Sequence, residues 1–181
     1  MFDILDPTTT AEEDPINYAP RPESLNGLKI GLVENTKPNA EKVLQAIANQ
    51  MAETYGTDMI HLVHKSQRAP LADADIKKLQ IEADFVICGV GDCGACSSGS
   101  VLDAILLERS GIPAVAIITD RFEETGQEMA GLWGVPTFRF VQMPHPLGSL
   151  AVDEIEDRAA SLLEKISILL LRGQEASEKA A

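Results

Sequence analysis

From Leu28 onward the chain alternates short, unbroken apolar runs with longer stretches in which apolar residues recur every three or four positions. The first kind predicts strands buried on both faces, and the second amphipathic helices. Residues 28–33, 59–63, 85–90, 114–119 and 137–142 read as strands. After the first, Ala40, Val43, Leu44, Ile47, Met51 and Tyr55 recur at helical spacing, with Asn39 placed to cap that helix and Gly56 to stop it. Further helices are expected around 73–79, over 98–110 up to Gly111-Ile112-Pro113, and over 121–130 despite Gly126. The last, over 152–171, carries Ile155, Ala159, Leu162, Ile166 and Leu169 on one stripe.

Strands alternating with helices imply a parallel sheet, right-handed crossovers and helices on both faces. The fold class is therefore α/β, a single doubly wound domain of the flavodoxin-like or Rossmann-like kind, with five strands in the expected order 2-1-3-4-5. In that order strands one and three are neighbours whose connections leave in opposite directions. Their C-terminal ends bound a ligand crevice. The loops reaching it are Asn35-Thr36-Lys37-Pro38-Asn39 and residues 92–98, joined by Thr119, Asp120 and Arg121 after strand four and by His145 after strand five. Residues 1–26 carry Pro7, Pro15, Pro20 and Pro22 among acids and threonines with no period, which predicts an extended N-terminal arm packed on the body or on a neighbouring subunit. Residues 27–172 form the α/β catalytic domain, and 173–181 a polar tail.

Composition restricts partners more than fold. The 181 residues are 45% hydrophobic and 24% charged, enough for one domain with a sizeable core. A formal net charge of -13 argues against nucleic acid, because phosphate binding needs a basic face. No basic segment leading into an apolar one follows Met1, and the apolar run 168–171 is far too short to span a bilayer. The expected location is the cytoplasm, with no membrane partner. The arm and the long last helix both need a surface to cover, so a homo-oligomer is expected.

The chemistry concentrates in Asp92-Cys93-Gly94-Ala95-Cys96-Ser97-Ser98-Gly99-Ser100, at a strand-to-helix turn. A helix start offers unpaired N–H groups and partial positive charge, which favour a thiolate. An unperturbed thiol, pKa ~8.5, is only a few per cent ionised at pH 7; at such a position with a cationic neighbour it falls to ~3.5–7.5. Lys37 and His145 are the candidate cations, while the charge on Asp92 suits orientation or proton transfer. Cys93 and Cys96 permit a dithiol–disulfide cycle, a nucleophile with a resolving partner, or half of a zinc site. Zinc lacks its other ligands: no second CxxC exists, and His61 and His64 point to opposite faces of a strand. Cys88, mid-strand, reads as a packing residue.

Around the thiols, Asn35, Lys37 and Asn39 offer amides and an ammonium ahead of a helix N-terminus, an anion cradle that is neither a P-loop nor a G-x-G-x-x-G turn. Ser97 and Ser98 add hydroxyls. His145 sits between Pro144 and Pro146, in a loop stiffened for acid–base work. Asp103 is placed to brace the turn or Lys37, Glu108 reads as a solvated helix position, and Trp133 and Phe122 read as core.

These residues also resemble a known family. Gly91-Asp92-Cys93-Gly94-Ala95-Cys96, then Ser100-Val101-x-Asp103-Ala104 and Glu108-x-x-Gly111-Ile112-Pro113, look like the UGSC-motif proteins, in which selenocysteine or cysteine opens a U/C-Gly-Ser-Cys turn. Leu5-Asp6-Pro7, Ala19-Pro20-Arg21-Pro22, Asn35-x-Lys37-x-Asn39 and Pro144-His145-Pro146-Leu147 extend the likeness through most of the chain. Ala95 stands where the motif has serine, and Ser97 or Ser98 can supply the missing hydroxyl. The turn is also similar to that of the selenoprotein subunit of glycine reductase, where the chalcogen bonds to a small substrate's carbon during reductive cleavage. The resemblance implies that Cys93 attacks and Cys96 assists.

The expectation is a cofactor-free, cysteine-dependent enzyme acting on a small, carboxylate-bearing substrate through a covalent adduct at Cys93. Cys96 resolves the adduct, Asp92 and His145 move protons, Asn35, Lys37, Asn39, Ser97 and Ser98 bind substrate, and a thiol reductant closes a redox cycle. The alternatives are a non-redox lyase or hydrolase using the same cysteine, and a dithiol redox sensor without turnover.

Overall fold

A computed structural model describes residues 16–66 and 69–174. Five parallel strands stand in the order expected: β2 (Asp58–His64), β1 (Lys29–Glu34), β3 (Phe85–Gly91), β4 (Ala114–Thr119) and β5 (Val141–Met143). Five α-helices connect or follow them: α1 (Ala40–Tyr55), α2 (Asp73–Glu82), α3 (Gly94–Arg109), α4 (Glu123–Leu132) and α5 (Val152–Arg172). The central strands are apolar on both sides because both sides are covered. Leu32, Ile87 and Ile117 face α1 and α5, while Val86, Cys88 and Ile118 face α3 and its neighbours.

The ends of the elements depart from expectation in three places. α3 begins at Gly94, four residues ahead of 98, because Cys93 caps it and the small residues behind enter the first turn. The strand expected over 137–142 is reduced to Val141–Met143, which pairs with Ile117–Thr119 at the sheet edge. Asp120–Phe122 forms a 3-10 turn before α4, and Gly126 lies where a Cβ would come within 2.9 Å of Ile118 Cδ1. Gly56 ends α1 in the left-handed region, with φ 65°. Asn39 takes the same region at φ 66° and caps nothing with its side chain.

Of the expected arm, residues 16–26 are described, and they form no helix or strand. They pass along the N-terminal edge of the sheet, with Leu25 in the α1/α5 core and Ile16 and Tyr18 against the opposite one. Leu5-Asp6-Pro7 lies outside the described residues, as does the tail beyond Gln174.

Candidate active site at the dithiol turn

The site begins with the end of β3. A Cβ on Gly91 would stand 2.6 Å from Ser97 Cα and 2.8 Å from Ile118 Cγ2, so only glycine lets the first turn of α3 lie this close. The β3–β4 register shifts between Cys88 and Gly91, which re-aims the strand end toward the turn. Asp92 follows, buried, and then Cys93 in extended backbone as the cap of α3. Cys93 and Cys96 are joined as a disulfide with Cα atoms 5.3 Å apart. The Cys96 N–H donates to Cys93 Sγ at 3.3 Å, and the Ser97 N–H to the Cys93 carbonyl at 2.9 Å. Cys93 is half-buried and Cys96 buried. The more accessible sulfur is therefore the one that faces the amides of the helix start, where negative charge is favoured.

The loop after β5 closes over Asp92. Asp92 Oδ1 lies 2.8 Å from His145 Nδ1 and accepts the Leu147 N–H at 3.2 Å. Thr119 Oγ1 stands 3.3 Å from the same imidazole nitrogen, and the His145 N–H donates to Asp120 Oδ1 at 3.1 Å. Phe122 meets the ring edge-on at 5.9 Å between centroids, so it lines the site and does not belong to the core as expected. Assigning the proton on Nδ1 to the bond with Asp92 leaves Nε2 as the nitrogen able to accept or deliver a proton.

The β1–α1 loop serves more as a fastener than as an open cradle. Asn35 is buried; its Nδ2 donates to the Val90 carbonyl at 3.1 Å and to Ser100 Oγ at 3.3 Å. Asn39 Nδ2 bridges to the carbonyls of Leu147, Gly148 and Leu150 at 3.2, 3.3 and 3.2 Å, binding this loop to the one that carries His145. Lys37 is half-buried and lines an open depression of about 640 Å³ with Glu34, Thr36, Pro38 and His64. None of the dithiol-turn residues lines it. Among the described residues no hydrogen bond or ion pair links Lys37 or His145 to either sulfur; the polar partner of Cys93 Sγ is the Cys96 amide. Ser97 is buried against Gly91 with its hydroxyl unpartnered, and Ser98 is half-buried.

The two carboxylates further along α3 have roles the sequence did not disclose. Glu108 is fully buried, not solvated. Its carboxylate accepts from Arg21 Nη2 at 2.8 Å on both oxygens, from the Ala19 N–H at 3.0 Å and from the Ala114 N–H at 2.8 Å. Burial pushes its carboxyl above the usual range, while the amides and Arg21 pull the other way without cancelling it. Asp103 pairs with buried Lys65 at 2.6 Å and accepts the Leu71 N–H at 2.8 Å, so it braces the segment after β2 and not the dithiol turn or Lys37. Burial raises its carboxyl too, and Lys65 opposes the rise. Cys88 is wholly buried, its thiol pushed well up by burial and then by Asp103, as suits a packing residue. Trp133 is half-buried and lies under the Arg109 guanidinium, 5.7 Å from its centroid. His61 pairs with Glu82 at 3.8 Å and His64 with Glu34 at 3.0 Å. Among the described residues no three His, Cys, Asp or Glu side chains are grouped to hold a metal ion. No helix among them is long and apolar enough to cross a membrane.

Against known proteins, the sequence model of the UGSC family matches residues 3–172. No curated protein matches the chain. Among solved structures it is similar to the crystal structure of diflavin flavoprotein A3 from Nostoc sp., at 11% identity and TM-score 0.39 over 78% of this chain and 94% of the other. A solution structure of diflavin flavoprotein A3 from Nostoc sp. PCC 7120 gives 11% identity and TM-score 0.38 over 82% and 99%.

Proposed function

This chain belongs to the UGSC family, and we propose that it is a cofactor-free, thiol-dependent oxidoreductase that reductively cleaves a carbon–heteroatom bond in a small carboxylate. One observation carries the proposal: two cysteines bonded across the first turn of α3, the outer sulfur accepting a helix-start N–H, with Asp92 immediately before them holding His145.

In the reduced protein the Cys93 thiolate attacks the substrate carbon. A C–S bond forms, the carbon–heteroatom bond breaks, and the heteroatom leaves with the electron pair and takes a proton from His145. The Cys96 thiolate then attacks Cys93 Sγ. The S–S bond forms, the C–S bond breaks, and the carbon departs with its electron pair to be protonated as C–H. The substrate gains two electrons and the two thiols lose them; an external dithiol restores both by exchange. Asp92 keeps the imidazole in the tautomer that works through Nε2. Lys37, on the neighbouring β1–α1 loop, faces a different depression and takes no part in the step. Asn35 and Asn39 hold that loop in place, and Ser98 offers a hydroxyl at the turn.

A second reading, a dithiol sensor without turnover, draws on the buried, already bonded Cys96. Intact-mass spectrometry separates the two. Reduced protein, Cys93→Ser and Cys96→Ser are each exposed to α-substituted carboxylates bearing an amine, thioether or halide. Cys96→Ser should accumulate an adduct on Cys93, and the parent should end as the disulfide with one equivalent of reduced product. An adduct on Cys96 in Cys93→Ser would reverse the roles. Disulfide formation with no product from any compound would favour the sensor.

A further inference from the structure

α5 buries one apolar side fully in the core, while a second apolar strip packs against the margin of that core and stays only partly covered. Ile155, Ala159, Leu162, Ile166 and Leu170 pack into the core. On the outer side Leu163, Ile168 and Leu171 are only half-buried, and with Tyr55 from the end of α1 they line an open groove of about 400 Å³. Ser167 fixes one wall of that groove: Tyr55 Oη bonds its hydroxyl at 3.1 Å, which in turn bonds the Leu163 carbonyl at 2.8 Å. The groove is therefore formed before anything binds in it.

Two charges bracket this surface. Glu164 and Arg172 line the groove, and both are exposed. Among the described residues neither has an ion-pair partner within the chain. They lie four positions either side of Ile168, and residues four apart share a helix face about 6 Å from one another along the axis.

We infer that this groove is a two-fold interface with a second copy of the same chain. When two α5 helices cross antiparallel at Ile168, Glu164 of each copy faces Arg172 of the other, and the half-buried apolar residues meet between the two pairs. A two-fold axis demands a patch complementary to itself. An apolar centre flanked by opposite charges at equal distances on the two sides meets that demand, whereas a patch of one sign would repel its own copy. The ridge 164–168–172 is of the i, i+4 type that packs helix on helix most often.

Charge reversal tests this without touching the core. Multi-angle light scattering and sedimentation equilibrium of the full chain should give about twice 19.5 kDa at micromolar concentration. Glu164→Arg and Arg172→Glu each replace two attractive contacts by two repulsive ones and should weaken the dimer at least about tenfold. The double reversal should restore it, since the pairs re-form with their signs exchanged. A monomeric parent overturns the inference. So do single reversals that leave the dimer unchanged, or a double reversal that stays monomeric. Ile168→Cys gives an independent reading, because a residue on the axis should cross-link to its own counterpart through a short bis-maleimide, with Cys88 buried and Cys93 bonded to Cys96. A monomer whose new thiol reacts only after removal of residues 175–181 would instead assign the groove to the chain's own C-terminus and overturn the dimer.

Discussion

Arg21→Met is the substitution whose cost the structure defines best. Arg21 supplies the only cation paired with Glu108 among the described residues, at 2.8 Å to both carboxylate oxygens, while two backbone amides remain whatever stands at position 21. Methionine keeps much of the aliphatic stem and removes the charge. The carboxylate is then left buried without its partner, a change that costs about 3–5 kcal/mol where the charge has no escape. Glu108 has one: it can take up a proton. From an ordinary carboxyl value of 4.5, staying neutral at pH 7 costs about 3.4 kcal/mol, and at pH 5 about 0.8 kcal/mol. Burial already holds this carboxyl above 4.5, so folding takes up protons. The stability it contributes is complete below 4.5 and is lost as pH rises through the elevated value. Loss of Arg21 raises that value further and widens the window over which stability is lost. The expected deficit is thus at most about 3 kcal/mol at pH 7, reduced by the part that burial already costs the parent, and under about 1 kcal/mol at pH 5. In thermal unfolding followed by circular dichroism, 3 kcal/mol corresponds to a fall in Tm of about 6–12 °C. On a Glu108→Gln background the same substitution should cost much less at pH 7, because no charge is left to strand. An equal deficit at pH 5 and pH 7, or an equal deficit in the presence and absence of Glu108, would refute the electrostatic account.

Two further substitutions bear on the site. Gly91→Ala places a methyl 2.6 Å from Ser97 Cα and should destabilise by about 1–3 kcal/mol, whereas Gly94→Ala meets nothing within 4 Å and should be neutral in the same denaturant titration. Asp92→Asn keeps the size of the side chain but not the lock on His145 Nδ1. With the fold intact by circular dichroism, turnover of a substrate found in the adduct screen should fall about 10²–10⁴-fold, and a smaller loss would remove His145 from proton transfer.

The sheet was legible because its strands are continuous apolar runs with few competing readings, and 114–119 was placed to the residue. Its order is not readable from the chain itself and is expected only as a common order for such an alternation; in that order Asp92 and His145 come to one edge although 53 positions separate them. Local pattern misled at α3, where Gly94-Ala95-Cys96 looks like a turn and becomes a helix start once Cys93 caps it. It misled at Glu108 because the burial of that residue depends on Arg21, 87 positions earlier, in an arm with no periodicity to announce it. In the sequence Asn35 and Asn39 show only what an amide can offer a ligand. Their bonds to distant carbonyls depend on loop shapes that spacing does not encode. Lys37 was placed on the correct edge of the sheet, but in a different depression from the sulfurs.

α3 is tethered at three heights: Ser100 to Asn35 near its head, Asp103 to Lys65 at its middle, and Glu108 to Arg21 near its foot. A rod pinned so often cannot pivot when the bridge between its leading cysteines opens or closes. Oxidation and reduction should then be felt only by the two sulfurs and the amides beside them, leaving the scaffolding unchanged.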